Sequence, residues 1–135
     1  MASIRVDLES VQVTEGQGVS EGDFELRIHV QEGTNSAFWP SLNGWTRVDK
    51  GGPPLTINEA VATYAIRSTV TKRFTIDVTE VDKGLNGQDD IGQGTVEFEL
   101  SPGMAPLTKG VTISLKRLSG GYKGKVKVVM SAQVT

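Results

Sequence analysis

The chain has 135 residues, 37% of them hydrophobic and 22% charged, with no cysteine and a formal net charge of −2. That length and balance suit one folded domain, residues 1–135, with a real core. They exclude disulfides, thiolate metal sites and a cysteine nucleophile. No apolar run nears the roughly 18–20 residues of a membrane span. No basic and apolar leader opens the chain at Met1-Ala2-Ser3-Ile4. The expectation is a cytoplasmic protein, and a pI of about 5.4 argues against nucleic acid as its partner. The charge is unevenly spread. Residues 101–135 hold no acid and six bases, namely Lys109, Lys116, Arg117, Lys123, Lys125 and Lys127. They read as a solvated basic face that balances the acidic remainder, or as a patch for an anionic surface.

Ile4, Val6 and Leu8 alternate with Arg5, Asp7 and Glu9, the pattern of a half-buried strand. Val11 and Val13 continue it out of phase, so a bulge is expected near Ser10. A turn-rich acidic loop follows, Glu15 to Asp23. Phe24, Leu26, Ile28 and Val30 mark the clearest strand of the first half. Residues 33–56 are broken by Gly, Asn, Ser and Pro, and only a short edge strand near 45–49 is read there. Residues 57–66 could form a short helix, but the alternation of Ala62, Tyr64 and Ile66 favours a strand. Strands at about 72–80, 94–100, 111–118 and 124–132 complete a set of eight. Eight strands with no clear helix predict an all-β chain, an eight-stranded antiparallel β-sandwich.

Between two of these strands runs Glu80-Val81-Asp82-Lys83-Gly84-Leu85-Asn86-Gly87-Gln88-Asp89-Asp90-Ile91-Gly92. Four carboxylates crowd a glycine-rich loop, and such repulsion is tolerable when a cation or solvent screens it. The stretch is a cation site or a wet acidic turn. Asp82, Asn86 and Gly87 match three positions of an EF-hand loop, but position twelve is Gln93 and strands flank it. The only histidine, His29, lies on the outward side of its strand and reads as a surface residue. No nucleophile elbow, phosphate loop or His-rich metal motif appears, so no enzyme and no small-molecule substrate are expected.

Several stretches together resemble the C2 domain, the calcium-and-lipid-binding β-sandwich of eight strands. They are residues 4–13 with the Glu15-to-Asp23 loop and its following strand, Thr46-Arg47-Val48 with Pro53-Pro54 and Asn58-Glu59, Glu80-Val81-Asp82 with Asp89-Asp90-Ile91-Gly92, and the strand ending near Met130. The resemblance implies calcium as cofactor, held between two end loops by Glu15, Asp23, Glu80, Asp82, Asp89 and Asp90. It implies Val19 and Leu85 as apolar loop tips for lipid, and Arg27, Arg47 and Lys50 as a headgroup-facing groove. Glu80 stands where the family usually has Asp, and the spacing from Glu80 to Asp89 is about one residue longer than usual.

Two functions from different classes follow. One is a calcium-binding, C2-like module that docks on anionic phospholipid membranes through its acidic end loops, cytoplasmic and peripheral at a membrane. The other is a metal-independent structural or protein–protein interaction β-sandwich, whose partner is a protein.

Overall fold

The computed structural model describes residues 1–16, 23–81, 89–117 and 122–135. Among them are nine strands and no helix. In chain order they are β1 (Ala2–Gly16), β2 (Asp23–Glu32), β3 (Asn35–Trp39), β4 (Thr46–Asp49), β5 (Leu55–Ile66), β6 (Val70–Glu80), β7 (Asp90–Leu100), β8 (Leu107–Arg117) and β9 (Tyr122–Val134). Every ladder between named strands is antiparallel, in the order β3-β2-β6-β7-β8-β9-β1-β5, and β4 takes the length of the β2 edge that β3 leaves open.

The even-numbered residues of β2, β6 and β7 face inward: Phe24, Leu26, Ile28 and Val30, then Phe74, Ile76 and Val78, then Val96, Phe98 and Leu100. With Ile4, Val6, Leu8, Ile113, Leu115, Val126, Val128 and Met130 they form one buried core. This is the period-two alternation of strands with one dry face, and each large side chain so buried contributes about 1.5–3 kcal/mol. Phe74 and Phe98 meet edge to face, with ring centroids 6.1 Å apart.

Two halves of the sheet face each other across this core. β7 and β8 pair only through Asp90–Arg117 and Ile91–Lys116; beyond that the strands part and the sheet folds over. Gly92 and Gly94 lie where β7 crosses β8. A Cβ at Gly92 would stand 2.4 Å from the Ser114 carbonyl oxygen, and one at Gly94 2.8 Å from Ile113. Phe24 of β2 crosses to the opposite half, its ring lying 3.0 Å from where a Cβ of Gly124 would stand and 3.2 Å from that of Gly16. The result is an antiparallel β-sandwich.

The expected bulge is found. The register of β1 slips between Leu8 and Ser10 against both of its neighbours, with further slips at Val6/Asp7 and Val13/Glu15. Residues 57–66 are strand, as their alternation predicts, and the strand begins two residues earlier, at Leu55. The strand count differs from the sequence expectation, nine for eight. β3 lies inside the stretch read as irregular, paired to β2 from Ile28 to Glu32. Several strands also run further than the pattern predicts, β8 among them, which begins at Leu107. β1 continues through Glu15, and β7 begins at Asp90, so the end of the acidic stretch is ladder rather than loop.

The chain ends lie together at one end of the sandwich. Ile4 pairs with Val134, and Thr135 N–H donates to Ser3 O at 2.9 Å. The same end carries the β2–β3 turn, where the Tyr64 hydroxyl of β5 donates to Glu32 and the Asn35 amide approaches it at 3.5 Å.

Candidate functional site

The ladders fix what gathers at the opposite end. Gly16 stands opposite Gly124, Asp23 opposite Asp49, Glu80 opposite both Leu26 and Asp90, and Asp90 opposite Arg117. The strand ends that flank residues 17–22, 82–88 and 118–121 therefore share one rim. Two seams close this rim. One is the short β7–β8 ladder. The other joins β4 to β1, where Lys50 bridges Val13 and Gly51 N–H donates to Val13 O at 3.1 Å. Val81 N–H extends the rim by donating to Glu25 O at 2.8 Å.

The acidic residues singled out in the sequence have different surroundings there. Asp90 is 1% exposed, and Arg117 Nε lies 3.3 Å from its Oδ1. Its position is inward, in line with Val96 and Phe98, so the ion pair caps the core mouth and satisfies a carboxylate that could not otherwise stay buried. Glu15 is exposed beside Lys125, with Nζ 3.7 Å from Oε2. Glu80 closes β6 half-buried, Asp89 is exposed just before β7, and the backbone of Asp23 opens β2. Asp82, Val19 and Leu85 lie outside the described residues. Among the described residues no three His, Cys, Asp or Glu side chains come close enough together to hold a metal ion. Asp49, which belongs to no motif in the sequence, joins the rim because its strand pairs with the start of β2. Its position as the last residue of a strand was the available signal.

The three basic residues do not form one row. Arg47 pairs with Glu25, which puts it on the outer face with Arg27, since both flank the inward Phe24 and Leu26. Arg27 is held in place, its Nε donating to Gly44 O at 2.8 Å. Lys50 lies apart, its stem against Gly16, 2.5 Å from where a Cβ there would stand. Of the bases that follow residue 100, Lys125 sits at Glu15, Arg117 at Asp90, and Lys109 donates to Glu97 O at 2.7 Å from above the Phe98 ring. These contacts balance acids and carbonyls of β1 and β7.

His29 does face outward, but within a network the sequence did not reveal. Its Nε2 is 2.8 Å from Ser36 Oγ, its Nδ1 is 3.6 Å from Asp77 Oδ2, and Gln93 Nε2 donates to Asp77 Oδ1 at 2.8 Å. The ring stacks on Phe38 at 4.1 Å. The residue types are those of nucleophilic catalysis. Asp77 and Gln93 line a surface cavity of about 380 Å³, but neither Ser36 nor His29 lines it, so no hydroxyl and imidazole are presented together to a bound molecule there. Ordinary cross-strand pairing accounts for the row.

No family model and no curated protein matches the chain. Among solved structures, it is similar to the C2A domain of plant extended synaptotagmin 1, with a TM-score of 0.49 and 15% identity over 99% of this chain and 95% of that one. At that identity the likeness extends to no activity. No helix of the described residues is long and apolar enough to cross a membrane.

Proposed function

We propose that the chain is a C2-like module that docks on anionic phospholipid membranes through its acidic end loops, with calcium bridging protein carboxylates and lipid phosphates. One observation carries the reading. The strand ends bearing Asp23, Asp49 and Glu80 meet at a single rim, and Asp89 precedes β7 at the same rim. The donors are hard oxygens, the kind calcium takes in sets of six to eight at roughly 2.3–2.6 Å. Asp23, Glu80, Asp82 and Asp89 would hold the ion, and glycine carbonyls of residues 84 and 87 would complete its shell. In this reading Asp90 and Glu15 serve Arg117 and Lys125 instead. A bound cation turns a rim that repels anionic lipid into one that attracts it. Lysines near the membrane add about 1 kcal/mol per charge close to an anionic bilayer. Val19 and Leu85 are the apolar tips that would enter it, and Arg27 and Arg47 would face headgroups from the outer strands.

The rim ion pairs favour a second reading. Arg117 and Lys125 already offset two of the carboxylates without a metal, which suits a metal-independent sandwich that binds a protein. Thermal melting separates the two. A calcium-specific rise, absent with magnesium, is expected, equivalent to roughly 2.7 kcal/mol at a hundredfold excess over Kd. Sedimentation with phosphatidylserine vesicles, with calcium or with chelator, then tests the lipid. An unmoved melting curve at millimolar calcium would leave the metal-free reading standing.

A further inference from the structure

One cavity among the described residues lies nowhere near the loop rim. It is a groove of about 430 Å³ on the outer face of the second half-sheet, within the usual range of small-ligand sites. Arg5, Asp7 and Glu9 of β1 form its floor. Asn58 and Ala60 of β5 stand on one side, and Thr108 of β8 with Ser131 and Gln133 of β9 on the other. The ladder registers explain the grouping, since Asp7 pairs with both Ala60 and Ser131, and Arg5 with Gln133. The register slip between Val6 and Asp7 falls at the same place. Asn58, on the rim, has φ +51°, a left-handed conformation uncommon outside glycine.

Asp7 is unusual in this groove. It is 8% exposed, one of two charged or polar residues that are buried among those described. Its Oδ2 accepts a hydrogen bond from Arg5 Nε at 3.1 Å. Its Oδ1, 3.0 Å from the same nitrogen, lies off the N–H direction and has no hydrogen-bond partner. Oδ1 is thus held by charge alone, without an N–H aimed at it, and a donor directed at it would make the better contact. Glu9 follows two residues on along the same strand side, about 7 Å away by strand rise. The floor thus carries two carboxylates against one guanidinium. Arg5, whose side chain is 42% exposed, is the group that must swing aside to open Oδ1.

We propose that this groove binds a small organic cation, an alkyl diammonium, with one ammonium on Asp7 and the other towards Glu9. The hydroxyls of Ser131 and Thr108 and the amides of Gln133 and Asn58 would accept the remaining ammonium protons. Arg5 acts as the resident competitor that the ligand displaces. This site is independent of the calcium and membrane reading, and either can fail alone.

The test is titration of the full chain with putrescine, followed by amide and side-chain NMR at fixed ionic strength, with potassium and calcium chloride as controls. Saturable shifts at residues 5–9, 58–60 and 131–133 are expected, with at least a tenfold loss of affinity in Asp7→Asn. Ala60→Leu narrows the groove from an exposed position and leaves every charge in place; it should weaken binding comparably. Arg5→Gln should tighten it. Shifts that follow ionic strength alone, that centre on residues 80–90, or that persist in both Asp7→Asn and Ala60→Leu would overturn the proposal. Equal shifts with calcium would overturn it too, making the groove a general cation trap.

Discussion

Asp90 illustrates how one residue's role depends on its neighbours. In the sequence it belongs to an acidic run and reads as a loop ligand. In the fold it begins a strand and sits under Arg117. Nothing local marks the difference, because its partner is 27 residues away. Removing Arg117 alone strands a buried carboxylate, so Arg117→Met is expected to lower stability by about 3 kcal/mol. The double variant Asp90→Asn with Arg117→Met should recover much of that, as measured by denaturant unfolding. Tyr64 offers a second residue-scale outcome. Burial, then the hydrogen bond and charge of Glu32, raise its pKa well above the ordinary tyrosine range, while the Asn35 contact lowers it slightly. The folded state therefore holds this proton more tightly than the unfolded chain. The resulting stabilisation is complete below the unfolded pKa of about 10 and is lost as pH rises beyond it. Unfolding followed between pH 8 and 11 should show that decline, and Tyr64→Phe should flatten it at a cost of about 1 kcal/mol for the lost hydrogen bond.

At the scale of elements, alternation was enough for β2, β6, β8 and β9, whose one dry face leaves a period-two trace. It also reached the slip at Ser10, since Val11 and Val13 cannot share a phase with Leu8. It missed β3, where Ser36 and Phe38 face outward and only Ala37 and Trp39 pack towards the core. Gly33, Asn35 and Pro40 around it resemble punctuation more than strand. The start of β7 was hidden for the opposite reason. Asp90 and Gly92 occupy inward positions that a hydrophobic pattern reserves for apolar residues. Gly92 is required there by the close approach of β8. Gly92→Ala should cost about 1–3 kcal/mol through overpacking against Ser114 and Ile113. Gly103, with nothing within 4 Å of a Cβ position, should accept alanine within about 0.5 kcal/mol. Paired thermal melts of the two variants check this.

For the whole molecule, the sandwich was legible from strand count and spacing, and the joint position of the acidic strand ends follows from its ladder order. The candidate site was legible only as a list of acids. Which of them meet bases depends on pairings between distant strands, as with Glu15 and Lys125. Charge at the rim should still govern the response to cations. Asp82→Asn with Asp89→Asn is expected to abolish any calcium-dependent rise in Tm. It should leave the calcium-free Tm unchanged or higher, since like charges no longer repel. Calorimetry at low and at 0.5 M salt would separate that relief of repulsion from a loss of specific contacts, because exposed repulsions fade with screening.

The meeting of the two chain ends at Ile4 and Val134, far from the acidic rim, has a mechanical consequence. Tension applied through both ends would load the β1–β9 ladder one rung at a time, as a zipper, instead of shearing all its rungs at once. Single-molecule pulling on the ends should therefore find a low rupture force, with β1 peeling first from the Ile4–Val134 rung. An attached segment at either end would leave from the side facing away from the rim. The loops would then stay free to meet a surface while the chain is held from behind.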